Sequence, residues 1–331
     1  MSTGEPPSDV LSEGGVQTVV VEGVVGERTI AARSPMQLFW RRLRRDKVSM
    51  VALAFIVLLI GIAIFAPVIV KVAGVPGPRV QSSESLDLFG TPTGPSSAHP
   101  FGVDRVGRDV FARTIYGSRV SLQVALIATG IAVLIGVTVG LIAGYYRGWV
   151  DTVLSRLTDV VLAFPILLLG LGLAAACSGA KGCFGGLIQP GLPVVIFVIT
   201  LTTWPYMARI VRGQVLSLRE REFVEASRSL GAPDRRIIFK EILPNLVAPI
   251  IVYATVLIPQ NILYEAALSF LGVGVDPAKP SWGAMISDAI SIFQDAWWFM
   301  TFPGLALLIT VLAFNIVGDG LQDALNPRTS K

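Results

Sequence analysis

Hydrophobic residues fall into six long runs that are separated by polar segments of different lengths. Each run has about 20 residues, the length that an α-helix needs to cross the hydrocarbon core of a bilayer. The pattern therefore predicts an all-α polytopic membrane protein with six transmembrane helices, whose apolar runs are residues 48–70, 120–143, 153–176, 192–210, 246–271 and 299–317.

A basic segment, RRLRRDK at 41–47, comes directly before the first run. Basic residues beside a span favour the cytoplasmic side of a membrane, and the run is too long for a cleavable signal peptide. Because an even number of spans returns the chain to the same side, we predict that both termini are cytoplasmic. The predicted division is a tail over 1–47 (flexible, then basic), a first helix over 48–70, an extracytoplasmic loop over 71–117, a transmembrane domain over 118–320 and a second tail over 321–331.

Composition supports this class of protein. The chain has 331 residues, of which 53% are hydrophobic and 15% are charged, whereas soluble domains carry roughly 25% charged residues. The formal net charge is +4, but most basic residues flank apolar runs and form no solvated basic face. Nucleic-acid binding is therefore excluded, and the lipid bilayer is the expected surrounding.

Small residues interrupt the second run. Glycines recur at 130, 136, 140 and 144. Small residues at such spacing let two helices approach closely inside a membrane. We expect this face of the second span to pack against another helix of the protein.

A polar island at 222–245 is too charged to cross a bilayer. Phe223, Ala226 and Leu230 fall on one face of a short helix, and Gly231 stands where a helix ends in a left-handed residue. Asp234 is positioned to cap a second short helix, which Pro244 would close before the next apolar run. The island predicts a helix–turn–helix against the membrane face, on the cytoplasmic side.

This island resembles the EAA loop of the membrane subunits of ABC importers. The motif has Glu225, Ala226 and Ser227, then Gly231, then Leu243 with Pro244; Ser227 replaces a second alanine, and Glu241 stands where isoleucine is usual. The resemblance implies that the loop, residues 217–245, is a coupling helix that docks into a cytoplasmic ATPase. The implied coupling residues are Glu222, Phe223, Glu225, Ala226, Ser227, Leu230, Gly231, Ala232, Leu243 and Pro244. The alternative is a surface helix pair without a partner.

Four further segments narrow the family. They are HPFGVDRVGRDV at 99–110, LSFLG at 268–272, PSWG at 280–283 and GDGL at 318–321. They resemble the dipeptide/oligopeptide/nickel branch of importer permeases, and within it the C-type partner of a heterodimer. The resemblance implies a type I ABC importer transmembrane domain in the cytoplasmic (inner) membrane of a prokaryote. The implied partners are a B-type permease subunit, one or two P-loop ATPase subunits and an extracytoplasmic peptide-binding protein.

The chain contains no G-x-x-x-x-G-K-[ST] phosphate loop, so it lacks that means of binding ATP. We therefore predict a permease subunit that is not an enzyme and has no cofactor of its own, with ATP and Mg on the partner subunits. The expected cargo is a di- or oligopeptide. Two alternatives remain: an ABC permease for nickel or another small solute, and a gradient-driven secondary transporter with Glu265 as proton carrier.

Polar residues inside the spans are candidates for the translocation path. Gln260, Asn261 and Glu265 lie in the fifth run, and ionisable groups at membrane depth usually face a bundle interior or an aqueous path. The alternative for Glu265 is a structural hydrogen bond. Cys177 and Cys183 share one loop and would form a disulfide in an oxidising compartment, or remain free thiols otherwise. The single histidine, His99, is interpreted as a turn residue and not as a metal ligand.

Overall fold

The computed structural model describes residues 35–87, 90–177, 179, 182–274 and 279–325. Within these residues the long elements are all α-helices, and β-structure is limited to isolated bridges. The helices are α1 (Pro35–Arg45), α2 (Lys47–Ile64), α3 (Ala66–Val72), α4 (Val110–Tyr146), α5 (Gly148–Leu162), α6 (Ile166–Ala176), α7 (Leu192–Leu218), α8 (Glu222–Ser229), α9 (Asp234–Arg236), α10 (Leu243–Phe270), α11 (Trp282–Ala289) and α12 (Trp297–Leu325).

The predicted all-α membrane architecture is confirmed. Five helices of the described region are long and apolar enough to cross a bilayer, and they become six spans if the bent pair of α5 and α6 is one span. The helices extend beyond the apolar runs because polar caps lie outside them. At the start of α4, for example, the carboxylate of Asp109 accepts a hydrogen bond of 2.7 Å from the amide of Ala112, which satisfies a terminal amide.

The ends of the chain differ from the predicted boundaries. The predicted N-terminal tail contains α1, and α12 continues to Leu325, inside the predicted C-terminal tail. Residues 1–34, where a flexible tail is predicted, and residues 326–331 of the predicted C-terminal tail lie outside the described residues. Asp46 separates α1 from α2 and caps α2, and the hydrogen bond from Ser49 holds the pKa of its carboxyl below the ordinary value.

Two predicted single helices are broken. The first span divides at Phe65 into α2 and α3, where Pro67 occupies the first turn of α3. The third span divides between α5 and α6, which meet at 85° next to Pro165. Proline lacks the amide proton that a continuous helix requires and its ring disfavours the preceding helical turn. The predicted third span, 153–176, is therefore a bent pair of helices and not one continuous helix.

The polar island also differs from the predicted helix pair. α8 ends before Gly231 as expected, but the second helix does not stop at Pro244. Instead α9 continues through a π-helical segment, Ile237–Ile242, directly into α10. The wider π turn accommodates a proline whose ring would clash with the carbonyl of the preceding α-helical turn. The island is thus one short helix followed by the extended beginning of a span.

The centre of the bundle is the contact between α4 and α7. Gly136, Gly140 and Gly144 of α4 face α7, and a Cβ built on Gly136 would lie 2.6 Å from the Cβ of Met207. Since real side chains do not come so close, only glycine allows this approach of the two backbones. Gly130 has no described atom within 4 Å of such a Cβ and does not contribute to the contact.

The segment between α3 and α4 is organised by buried charge. The Asp104 carboxylate accepts hydrogen bonds from the amides of Val106 and Arg108 and a 2.6 Å bond from the Arg108 side chain. His99 bonds Asp109 through Nδ1 at 2.8 Å and Ser85 through Nε2 at 3.1 Å. In this part of the chain the histidine therefore fixes the loop to the start of α4, and the described residues contain no cluster suited to a metal ion.

Candidate functional site

The short helix α8 is anchored by one residue that the predicted apolar face does not include. Val224 is fully buried and packs in a cluster with Tyr145, Val215 and Ile237. Phe223 and Leu230, by contrast, are 40% and 87% exposed. The predicted face of α8 is therefore directed away from its own chain, and the hydrophobic side chain that holds the helix in place is on the opposite side.

The predicted coupling residues share this exposure. None of the ten is buried in the chain: Glu222, Phe223, Glu225, Ala226, Leu230, Gly231 and Pro244 are exposed, and Ser227, Ala232 and Leu243 are half-buried. All ten are therefore accessible at least in part in the isolated chain.

The turn after α8 has the geometry expected of a helix end. Gly231 adopts a φ of +76°, the left-handed region that glycine reaches without strain. Its amide donates to the carbonyl of Arg228 at 2.9 Å, and the amide of Ala232 donates to the carbonyl of Ser227 at 3.1 Å. These bonds satisfy carbonyls that the end of α8 would otherwise leave without partners.

Side chains from α4 hold the polar island against the bundle. The hydroxyl of Tyr145 donates to the carboxylate of Asp234 at 2.7 Å. Arg219 donates to the carbonyl of Tyr145, and Arg147 pairs with Glu220 at 2.5 Å. Asp234 is therefore not the predicted helix cap, because Pro233 precedes the helix and the Asp234 side chain is bonded to Tyr145. These contacts tie the end of α4 to the island and to the end of α7.

Two ion pairs join the broken span to α7 near the same end of the bundle. Arg212 forms two hydrogen bonds to Asp151, at 2.5 Å and 2.8 Å, and Arg209 bonds Asp159 at 2.8 Å. They border a cavity of about 310 Å³ between α4, α5 and α7. The sequence shows these charges but not their pairing, since the partners are about fifty or more positions apart in the chain.

The three predicted path residues divide into two groups. Glu265 is fully buried and accepts hydrogen bonds from Ser121 at 2.8 Å and Ser269 at 2.7 Å. Asn261 is buried as well and donates to Thr129 at 2.8 Å. Both residues therefore connect α10 to α4, through Ser121 and Thr129, and Glu265 also forms a hydrogen bond within α10. Gln260 alone of the three is exposed on the outside of the chain.

The two cysteines lie at the end of α6 and in the loop that follows. The structure joins Cys177 to Cys183 in a disulfide, with their Cα atoms 4.7 Å apart. The amide of Cys183 also donates to the carbonyl of Ile188 at 2.9 Å. Phe184 and Leu187, just beyond the second cysteine, are highly exposed. The bond therefore closes a small loop after α6, and an exposed apolar tip follows that loop before α7.

Comparison with known proteins gives a consistent family. Residues 136–331 match the family described as binding-protein-dependent transport system inner membrane component, and residues 34–78 match the N-terminal TM domain of oligopeptide transport permease C. The dipeptide transport system permease protein DppC of Alkalihalophilus pseudofirmus is 41% identical over 302 residues, covering 91% of this chain and 93% of the relative. The glutathione transport system permease protein GsiD of Pectobacterium atrosepticum is 39% identical, covering 91% and 94%.

A solved structure supports the fold. The chain resembles a subunit of the inward-facing MetNI methionine ABC transporter with a TM-score of 0.55 and 21% identity, over 65% of this chain and 97% of that one. The resemblance to the dipeptide/oligopeptide branch that the motifs indicated is confirmed by the two families and the two relatives. The chain belongs to the family of inner-membrane components of binding-protein-dependent transport systems, and it is a multi-pass permease subunit of an ABC importer and not an enzyme.

Proposed function

We propose that this chain is the C-type half of a heterodimeric permease that imports small peptides at the expense of ATP. The relatives at about 40% identity are named for dipeptide and glutathione transport, and glutathione is itself a small peptide. The partners would be a B-type permease subunit, one or two P-loop ATPases that bind ATP and Mg, and an extracytoplasmic peptide-binding protein. The observation that carries the coupling role is the exposed apolar face of α8.

Within the described part of the chain, no other element covers the exposed face of α8. Phe223 and Leu230 present hydrophobic surface on a helix that Val224 already anchors, and a helix needs only one buried face to be held. Small residues beside them, Ala226 and Ser227, permit close approach of another backbone. We propose that this face docks into a groove on the ATPase, so that ATP-driven closure of the ATPases moves α8 and the spans attached to it.

The proposed orientation places α8 in the cytoplasm. The basic cluster at 41–47 precedes the first span, and such clusters favour the cytoplasmic side. With six spans, both termini and the 217–245 loop are then cytoplasmic, while the 71–117 loop and the Cys177–Cys183 disulfide are outside. A disulfide persists in an oxidising compartment, which is consistent with this orientation.

Within the membrane, we assign Gln260 to the wall of the translocation path. It is the exposed member of the three polar residues in α10. Glu265 and Asn261 contribute by holding α10 in position, through Ser121 and Thr129 of α4. Both carboxylate oxygens of Glu265 already accept hydrogen bonds from serine hydroxyls. This arrangement favours ATP-driven movement of helices over a mechanism in which Glu265 carries protons.

The test combines co-purification with uptake. The tagged chain would be purified from gently solubilised membranes, and the co-purifying proteins would be identified by mass spectrometry. We expect a related permease and a P-loop ATPase, and we expect Leu230→Glu to lose the ATPase while retaining the permease. Trp149→Glu, which introduces the same charge at another exposed hydrophobic position outside α8, is the matched control and should retain both.

The cargo is tested by uptake in a strain that lacks its own peptide importers. Accumulation of a labelled dipeptide, with no accumulation of Ni²⁺, would support the peptide assignment. Nickel accumulation would support the alternative importer. A chain that purifies without any ATPase, and whose uptake follows the proton gradient, would contradict the whole proposal.

A further inference from the structure

An apolar groove runs along the outside of the bundle between the first and last spans. It has a volume of about 450 Å³ and is lined by Val48, Val51 and Phe55 of α2 together with Ile309, Leu312 and Ile316 of α12. Val51 is 71% exposed and Leu312 is 54% exposed, so the groove is open towards the surroundings. Because both helices are spans, these surroundings are the hydrocarbon core of the membrane.

One end of this groove is positively charged. Lys47, the first residue of α2, is part of the lining. Among the described residues it forms no hydrogen bond or salt bridge that would neutralise it. Arg44 and Arg45, in the last turn of α1, are exposed close by in the chain. The adjacent carboxylate, Asp46, is already bonded to the amide of Val48 and the hydroxyl of Ser49.

The helix before the groove has the features of a helix that lies in a membrane interface. In α1, Leu43 is buried while Trp40 is about half exposed, and the guanidinium of Arg44 lies 5.9 Å from the Trp40 ring centre. Tryptophan and basic residues at such a position are typical of amphipathic helices at the level of the lipid headgroups. The charged end of the groove is therefore at headgroup depth.

We infer that this groove binds one anionic phospholipid, with an acyl chain between α2 and α12 and the phosphate beside Lys47, which directly follows the basic last turn of α1. The occupant must be apolar along about two helical turns and negatively charged at one end, and a phospholipid such as phosphatidylglycerol has that arrangement. In the proposed orientation the charged end faces the cytoplasmic leaflet, where anionic lipids attract basic segments. The inference does not depend on which solute is transported.

The base of the groove gives the site a fixed shape. The hydroxyl of Ser49 bonds the carbonyl of Ile316 at 3.2 Å, which joins α2 to α12. Ala52 and Ala313, both buried, allow the two helices to approach at the bottom. A bound acyl chain would cover this seam, so lipid binding should hold the first span against the last.

The test is the binding of defined lipids to the purified full chain in a neutral detergent, by native mass spectrometry and thermal unfolding. Phosphatidylglycerol and phosphatidylcholine with identical acyl chains would be compared. We expect phosphatidylglycerol to bind and to raise the unfolding temperature, and Lys47→Gln to weaken binding about fivefold, the equivalent of about 1 kcal/mol for one basic residue at an anionic surface. Lys71→Gln, an exposed lysine in α3, is the matched control and should bind as the parent does.

A second variant tests the apolar part without removing charge. Val51→Phe places a larger side chain at an exposed position of the lining, so it should fold normally and still exclude the acyl chain. Equal binding of the two lipids, or equal losses for Lys47→Gln and Lys71→Gln, would overturn the inference. A photocrosslinker at position 51 that captures another permease chain instead of lipid would overturn it as well.

Discussion

At the scale of single residues, glycine at position 231 is explained by backbone conformation and not by a lack of space. Its φ of +76° lies in the left-handed region, but a Cβ built there would meet no described atom within 4 Å. The chain thus has room for a side chain at this position. The requirement for glycine comes from the backbone conformation and from the surface that α8 presents.

We therefore expect Gly231→Val to abolish uptake while the protein still inserts into the membrane. A branched residue in the left-handed region costs the backbone on the order of 1 kcal/mol, too little to unfold the protein, and the new side chain would project from the proposed docking surface. Glu225→Lys, at an exposed position of α8, should have the same effect by reversing a charge there.

Peptide uptake and the amount of protein in membranes would be measured in parallel. Gly231→Asn is the matched control, since asparagine tolerates left-handed backbone better than other residues with side chains. Normal uptake in the valine variant would contradict docking through this loop.

Glu265 leads to a different expectation, because it is buried with two hydrogen-bond donors. Glu265→Ala would leave the hydroxyls of Ser121 and Ser269 without their acceptor, and each unsatisfied buried group costs about 1–3 kcal/mol. We expect a lower unfolding temperature and less protein in the membrane. Gln260→Ala, at an exposed position of the same helix, should change neither. A Glu265→Ala protein that is stable and abundant, yet inactive, would indicate that Glu265 contacts the cargo.

At the scale of elements, the glycine face of α4 determines how closely two spans pack. A Cβ on Gly140 would lie 2.7 Å from the carbonyl oxygen of Ala208 and 2.8 Å from the Cβ of Val211. Backbone and Cβ atoms cannot rotate out of the way, so a larger residue must separate α4 from α7. Gly130 is on the same helix but has open space around it.

Gly140→Leu is accordingly expected to destabilise the protein by about 1–3 kcal/mol, the usual range for overpacking a close contact. The measurement is thermal unfolding in detergent, followed by size-exclusion chromatography. Gly130→Leu provides the same change in volume and hydrophobicity on the same helix, and it should unfold at the parent temperature. Equal destabilisation by both substitutions would show that the α4–α7 contact is not the reason.

The elements also show which parts of the fold follow from the sequence. The spans were predictable because about 20 apolar residues in a row have few stable locations other than a bilayer. The motifs placed α8 and Gly231 correctly, since helix ends depend on local conformation. The breaks at Pro67 and Pro165, and the continuation through Pro244, were not predicted, because a proline is compatible with a kink, a break or a π turn.

The side of α8 that is buried could likewise not be predicted from the local sequence. Periodicity identified Phe223, Ala226 and Leu230 as one face, but it did not show that Val224, on the other side, is the anchor. That choice depends on Tyr145, Val215 and Ile237, which belong to three elements other than α8. The same limitation applies to the pairing of Arg212 with Asp151.

At the scale of the whole molecule, the proposed orientation has a direct test. Leu230 and Leu187 are 87% and 83% exposed, and six spans would place them on opposite sides of the membrane. In a background of Cys177→Ser and Cys183→Ser, we expect Leu230→Cys to react with a membrane-impermeant thiol reagent only from the cytoplasmic side. Leu187→Cys should react only from outside. Reaction of both from the same side would contradict six spans.

The unbroken path of the chain from Asp234 to Phe270 has a mechanical consequence. These 37 residues form one continuous helical segment. At a rise of 1.5 Å per residue, Glu265 lies about 47 Å from Asp234 along the helix axis. An α-helix is stiff along its axis. A displacement of its first turn along that axis would therefore be transmitted to the end that lies in the membrane. Of the two serines bonded to Glu265, only Ser121 belongs to another span, α4, so a displacement of this helix along its axis would act first on the bond between Ser121 and Glu265.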